Sequence, residues 1–152
     1  MVAQEVFARA GRPDLASLRQ SQANRRVNTF TRWLPALLWA VLIFVLSAWT
    51  SPPKVDKVVP MADKAVHWTL FCVQSWLVAS ALRNGHKLTL QATLGLAILI
   101  TSAYGALDEY HQRFIPNRTC DFVDWVADTL GATAAAAAYY VYESRRRQKA
   151  DH

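Results

Sequence analysis

Asp63, His67, Asp108, Glu109, Gln112, Arg118, Asp124 and Asp128 are the residues of this chain that could do chemistry, because each lies in or beside an apolar stretch. Ionisable groups in such stretches are costly, so their presence asks for a reason. Carboxylates, an imidazole and a guanidinium gathered at one level could run general acid–base chemistry, ligate a metal or hold a polar headgroup. Spacing favours their meeting. Asp63 and His67 stand four apart and share a helical face. Asp121, Asp124 and Asp128 fall at i, i+3 and i+7, and Gly131 and Ala135 continue the stripe, which is expected to point into the protein.

Each residue also has a plainer reading. His67 is either a proton shuttle or metal ligand, or a buried histidine bonded to Asp63 or Asp108 that ties two helices together. Asp108 and Glu109 are neighbours and diverge by about 100° on a helix. Only one is therefore expected to face inward: Asp108, which continues the face of Thr101 and Gly105, while Glu109 is structural. Arg118 either clamps a phosphate or carboxylate or pairs with Asp121 or Asp124. Gln112 is expected to satisfy loop carbonyls, and His111 to be exposed. Cys72 and Cys120 are not expected to form a disulfide, and neither has the neighbours of a catalytic thiol. No nucleophile elbow, phosphate loop, haem-attachment or zinc-helix motif is present.

Apolar helices must position these groups. Of 152 residues, 53% are hydrophobic and only 18% charged, which excludes a disordered chain. Residues 33–49, 65–82, 88–107 and 122–142 form four long apolar runs. The first is apolar on every face, with tryptophans at both ends and Pro35 in its opening turn. At about 1.5 Å per residue these runs reach roughly 26–32 Å, the thickness of a bilayer core. The first run is expected to stay in the membrane; it is too long and too far along the chain for a secretory signal. The sequence thus predicts an all-α, polytopic membrane protein with four transmembrane helices in an up-down bundle. Its parts are a basic cytoplasmic tail (1–32, mostly disordered or surface-lying), a membrane domain (33–142) and a second basic tail (143–152).

The net charge of +6 is a topology signal before it is a nucleic-acid signal. Twelve of the seventeen basic residues fall on one side: six arginines before residue 33, Arg83, Lys87, Arg145, Arg146, Arg147 and Lys149. Both termini are therefore expected inside, with loops 51–64 and 108–121 outside. The lipid bilayer is the expected partner, and nucleic acid is not.

Three blocks then resemble the VanZ-like membrane proteins of teicoplanin-resistance type. They are Asp63-Lys64 with His67 before an aromatic-rich helix, Asp108-Glu109 with Gln112, and Pro116-Asn117-Arg118 leading into Asp124, Asp128 and Gly131. In that family a glycine often precedes the arginine, where this chain has Asn117, and asparagine often stands at the place of Asp128. The resemblance implies an envelope protein whose outward polar pocket binds or acts on a lipid-linked, peptidoglycan-related or glycopeptide headgroup and lowers antibiotic susceptibility. The residues themselves leave two alternatives: a metal-assisted or acid–base enzyme acting on phosphorylated lipid headgroups, or a non-catalytic scaffold. Neither cofactor nor metal is assigned by the sequence.

Overall fold

The computed structural model describes residues 15–50, 61–86 and 88–150, with side chains from residue 29 onward. Four helices account for nearly all of it: α1 (Leu15–Ser47), α2 (Ala62–His86), α3 (Leu90–Gln112) and α4 (Phe122–Ala150). Among the described residues, three segments are long and apolar enough to cross a membrane: Thr29–Ser47, Ala62–His86 and Leu90–Gln112. The run at 122–142 also forms a helix, but its carboxylates and alanines leave it less apolar than the others.

The helices outrun the apolar stretches. α1 begins at Leu15, directly after Gly11-Arg12-Pro13-Asp14, so the tail expected to be irregular is helical from that point. Pro35 consequently lies in the helix interior and not in a first turn. Its missing N–H removes one hydrogen bond, a loss that membrane helices tolerate. α3 runs one turn past Asp108 and Glu109, and α4 continues through the basic segment to Ala150. Thr89 caps α3, its hydroxyl accepting from the Ala92 N–H at 3.3 Å. Residues 1–14, 51–60, 87 and 151–152 lie outside the described residues, so much of the expected 51–64 loop is among them.

α2 is the central element. It packs most extensively on α4 and also meets α1 and α3, whereas α1 touches α3 only slightly. The arrangement is thus a three-helix group of α2, α3 and α4 with α1 laid against α2. Among the long-range bonds that fix α1, Trp39 Nε1 donates to the Leu70 carbonyl at 2.9 Å, and Tyr104 Oη to the Ala40 carbonyl at 2.7 Å.

The bundle turns large apolar side chains outward and buries small and polar ones. Leu37, Leu38, Val41, Val45, Leu99, Leu107 and Leu130 are exposed, while Ser75, Thr93, Thr101 and Asp128 are fully buried. A bilayer suits this distribution, because small and polar groups join helices in lipid while large apolar side chains face it. An apolar cluster of Ala36, Val78, Ala79, Leu82, Leu90, Ala97 and Tyr139 fills the end away from the carboxylates. At that end Glu143 pairs with Arg83 at 3.7 Å and Arg146 at 3.5 Å.

Gly131 sets the contact between α2 and α4. A Cβ there would stand 2.3 Å from the Trp68 carbonyl oxygen and 3.2 Å from the Cys72 nitrogen, so the backbones touch. Gly131→Ala should therefore force the helices apart and cost roughly 1–3 kcal/mol, as overpacking generally does. Gly95→Ala is the control, since nothing lies within 4 Å of a Cβ at that position. A detergent melting temperature that falls for Gly131→Ala and holds for Gly95→Ala is the expected result. Equal melting of the two variants would contradict the close approach.

Candidate functional site

The polar residues meet where the start of α2, the end of α3 and the start of α4 converge. Asp121 builds the entrance: its Oδ1 accepts the Val123 N–H at 2.9 Å, capping α4. Its own N–H donates to Glu109 Oε2 at 2.8 Å, which ties the end of α3 to the start of α4. Asn117, at φ 63°, takes the left-handed conformation that turns the chain between those helices, a role glycine would fill equally.

Lys64 is the hub. Its Nζ lies 2.6 Å from Asp124 Oδ1, 2.7 Å from Asp121 Oδ2 and 3.0 Å from Asp63 Oδ2. Asp124 is buried, whereas Asp63 and Asp121 are partly exposed, so one ammonium links rim to interior. The Lys64 ammonium, helped by the Val123 N–H, holds the Asp121 carboxyl below the ordinary range. That interaction therefore contributes at neutral pH and fades as acid protonates Asp121.

His67 faces α4 one turn deeper. Its Nδ1 stands 3.1 Å from Asp128 Oδ1, and Asp128 is wholly buried. In its neutral Nδ1–H tautomer the ring donates to the carboxylate and keeps a lone pair on Nε2. Gly105 makes room for this carboxylate: a Cβ there would come within 2.8 Å of Asp128 Oδ2. Among the described residues that oxygen has no hydrogen-bond partner, and neither has Glu109 Oε1, although Glu109 is only 4% exposed.

On the α1 side, Asp108 Oδ2 accepts from Ser47 Oγ at 2.7 Å and from Gln112 Nε2 at 3.1 Å. Arg118 reaches past the carboxylates altogether. Its Nε donates to the Trp49 carbonyl at 3.3 Å and its Nη2 to the Leu46 carbonyl at 3.1 Å. It thus closes the end of α1, where unpaired carbonyls attract a cation.

Several expectations are corrected by this geometry. Asp108 and Glu109 both face inward, because the end of α3 meets two neighbours on adjacent faces: Ser47 of α1 bonds Asp108, and Asp121 at the start of α4 bonds Glu109. His67 takes Asp128 as partner and not Asp63 or Asp108. Arg118 binds carbonyls and not Asp121 or Asp124. Gln112 serves Asp108 and not a loop carbonyl. His111 is half-buried, its ring stacked on Phe44 at 4.6 Å. Lys64 is the residue that sequence reasoning missed. Its place within the Asp63-Lys64 pair, at the start of an apolar helix, was the available signal.

His67, Glu109 and Asp124 each offer one donor atom, and the three atoms lie within 4.8 Å of one another. One imidazole and two carboxylates form a donor set suited to a divalent metal. Both cysteines are free, and neither belongs to this set.

The protein family described as VanZ/LLP1 matches residues 16–143 of the chain. An uncharacterized protein of Schizosaccharomyces pombe is 31% identical over 96 residues, which cover 60% of this chain and 54% of that relative. The chain therefore spans about half the length of the curated relative it matches. No solved structure matches.

Proposed function

The chain belongs to the VanZ/LLP1 family, and on that premise we propose an integral protein of the cell membrane whose outward polar cluster binds an envelope headgroup. The class of ligand is a lipid-linked or peptidoglycan-related headgroup, or a lipophilic glycopeptide, and its capture lowers susceptibility to envelope antibiotics.

One observation carries the reading. Asp63, Glu109, Asp121, Asp124 and Asp128 gather around the Lys64 ammonium and the His67 ring, and Asp108 lies at the same end of the bundle on the α1 side. A scaffold that only joined helices would balance these charges. An excess of acceptors suits ligands rich in hydroxyl and amine donors, such as amino sugars and glycopeptides. With Arg118 turned to α1, the fork that would have clamped a bare phosphate is committed elsewhere. Asp63 and Asp121 remain partly exposed at the rim, which gives such a ligand an entrance.

In this reading α4 is the fourth span. Its carboxylates Asp124, Asp128 and Glu143 all lie on the buried face, so a lower apolar content does not oppose insertion. The basic asymmetry supports a topology with both termini in the cytoplasm. Single-cysteine labelling in whole cells should reach position 117 from outside, and position 146 only after permeabilisation. Labelling of position 146 in intact cells would move the cluster to the cytoplasmic face. The functional test is deletion of the gene followed by measurement of glycopeptide susceptibility and envelope composition, with complementation by the wild type and by Glu109→Gln. Increased susceptibility, restored by the wild type and not by an equally abundant Glu109→Gln protein, is the expected outcome. No change in either measurement on deletion refutes the reading.

A further inference from the structure

From the convergence of His67, Glu109 and Asp124 we infer that the cluster is a divalent metal site of the zinc or manganese class. The donors come from three different helices, α2, α3 and α4, and lie within 4.8 Å of one another. Around a tetrahedral ion with bonds of about 2.0–2.1 Å, donors stand roughly 3.4 Å apart. Side-chain rotation of about an ångström closes that difference without backbone movement.

Two further observations point to a ligand. Glu109 is only 4% exposed, and with Oε2 taken by the Asp121 N–H its Oε1 is buried without a partner among the described residues. A native carboxylate oxygen so placed, beside an imidazole and a second carboxylate, asks for a cation. The second is the Asp128–His67 bond, which occupies Nδ1 and aims the lone pair of Nε2 away from Asp128. A carboxylate bonded to the far nitrogen of a histidine is the usual support of a metal-ligating imidazole. The donor set narrows the ion. It lacks the thiolates that favour copper(I) and offers too few oxygens for calcium.

Lys64 occupies part of this space, with Nζ 2.6 Å from Asp124 Oδ1. The same ammonium also reaches Asp121 and Asp63, so it can withdraw to the rim when an ion arrives. Lysine and metal are thus alternative counter-ions of one carboxylate. A bound ion with open positions would in turn accept the hydroxyl or phosphate oxygens of a headgroup.

The test uses the full chain purified in detergent, stripped with chelator, equilibrated with Zn²⁺ or Mn²⁺ and freed of unbound ion before metal is counted. About one ion per chain is expected for the wild type, little or none for Glu109→Gln and His67→Gln, and retention for Lys64→Met. Added metal should raise the melting temperature of the wild type and leave that of Glu109→Gln unchanged. Co²⁺ substitution of the wild type should give the visible absorption of mixed nitrogen and oxygen ligation, a readout that does not depend on any variant folding. Absence of bound ion in both the wild type and Lys64→Met overturns the inference, as does an ion retained in Glu109→Gln. The inference stands apart from headgroup binding, because it is read with metal alone and no lipid. Loss of the susceptibility phenotype with intact metal binding would refute only the headgroup reading.

Discussion

Replacing Lys64 by methionine should destabilise the chelator-treated protein by about 3–5 kcal/mol, the cost of leaving a buried carboxylate without its partner. The residue left behind is Asp124, whose side chain is only 11% exposed and whose Oδ1 lies 2.6 Å from the lost ammonium. Asp63 and Asp121 are side-chain exposed by 37% and 39%, and water can replace the lysine for them. The penalty should therefore belong mostly to one carboxylate. Lys64→Met combined with Asp124→Leu should recover most of the loss, since neither charge then remains buried. Unfolding in detergent, measured for both single variants and the double, reads the coupling directly. A double variant no more stable than Lys64→Met would show that these residues are not partners. Arg118→Met provides a contrast. Its guanidinium binds the Leu46 and Trp49 carbonyls, so its effect should add to that of Asp124→Leu within about 0.5 kcal/mol.

His67→Ala is expected to have an effect of the same size, about 3–5 kcal/mol, for a related reason. Asp128 is entirely buried, its Oδ2 has no hydrogen-bond partner among the described residues, and His67 bonds its Oδ1. Asp128→Asn alone should be neutral or stabilising, because an amide keeps an acceptor for the Nδ1–H while removing a charge from the interior. Placed in the His67→Ala background, Asp128→Asn should reduce the deficit to about 1–3 kcal/mol, that of an unsatisfied polar group in place of an unpaired charge. These measurements belong in the presence of chelator, so that loss of a metal ligand does not enter the comparison. If Asp128→Asn brings no recovery to His67→Ala, the histidine stabilises the bundle through packing against Phe71 and not through the carboxylate.

The two results bear differently on function. Lys64→Met removes a competing cation from the metal donors, whereas His67→Ala removes a donor. Similar losses of stability should thus accompany opposite effects on metal retention. A purely structural cluster would not produce that separation.

Much of this molecule followed from the sequence by itself. Long apolar runs fix helices, because a chain in lipid must satisfy its backbone internally. The 3.6-residue period put Asp124, Asp128, Gly131 and Ala135 on one face, and all four are buried. Tertiary structure decided the partners. A helical period orders side chains around one axis but leaves open how each helix is rotated against its neighbours. Glu109 therefore turned inward beside Asp108, because α3 is covered on two adjacent sides, which no property of α3 alone reveals. Lys64 took the pairing with Asp121 and Asp124 that was one of the two expectations for Arg118. Arg118 lies in a loop whose course carries it to the carbonyls of Leu46 and Trp49 where α1 ends, and Lys64 stands in the first turn of α2, beside the first turn of α4. Both side chains are long and flexible, so the positions of oppositely charged neighbours in space determine where their charges rest.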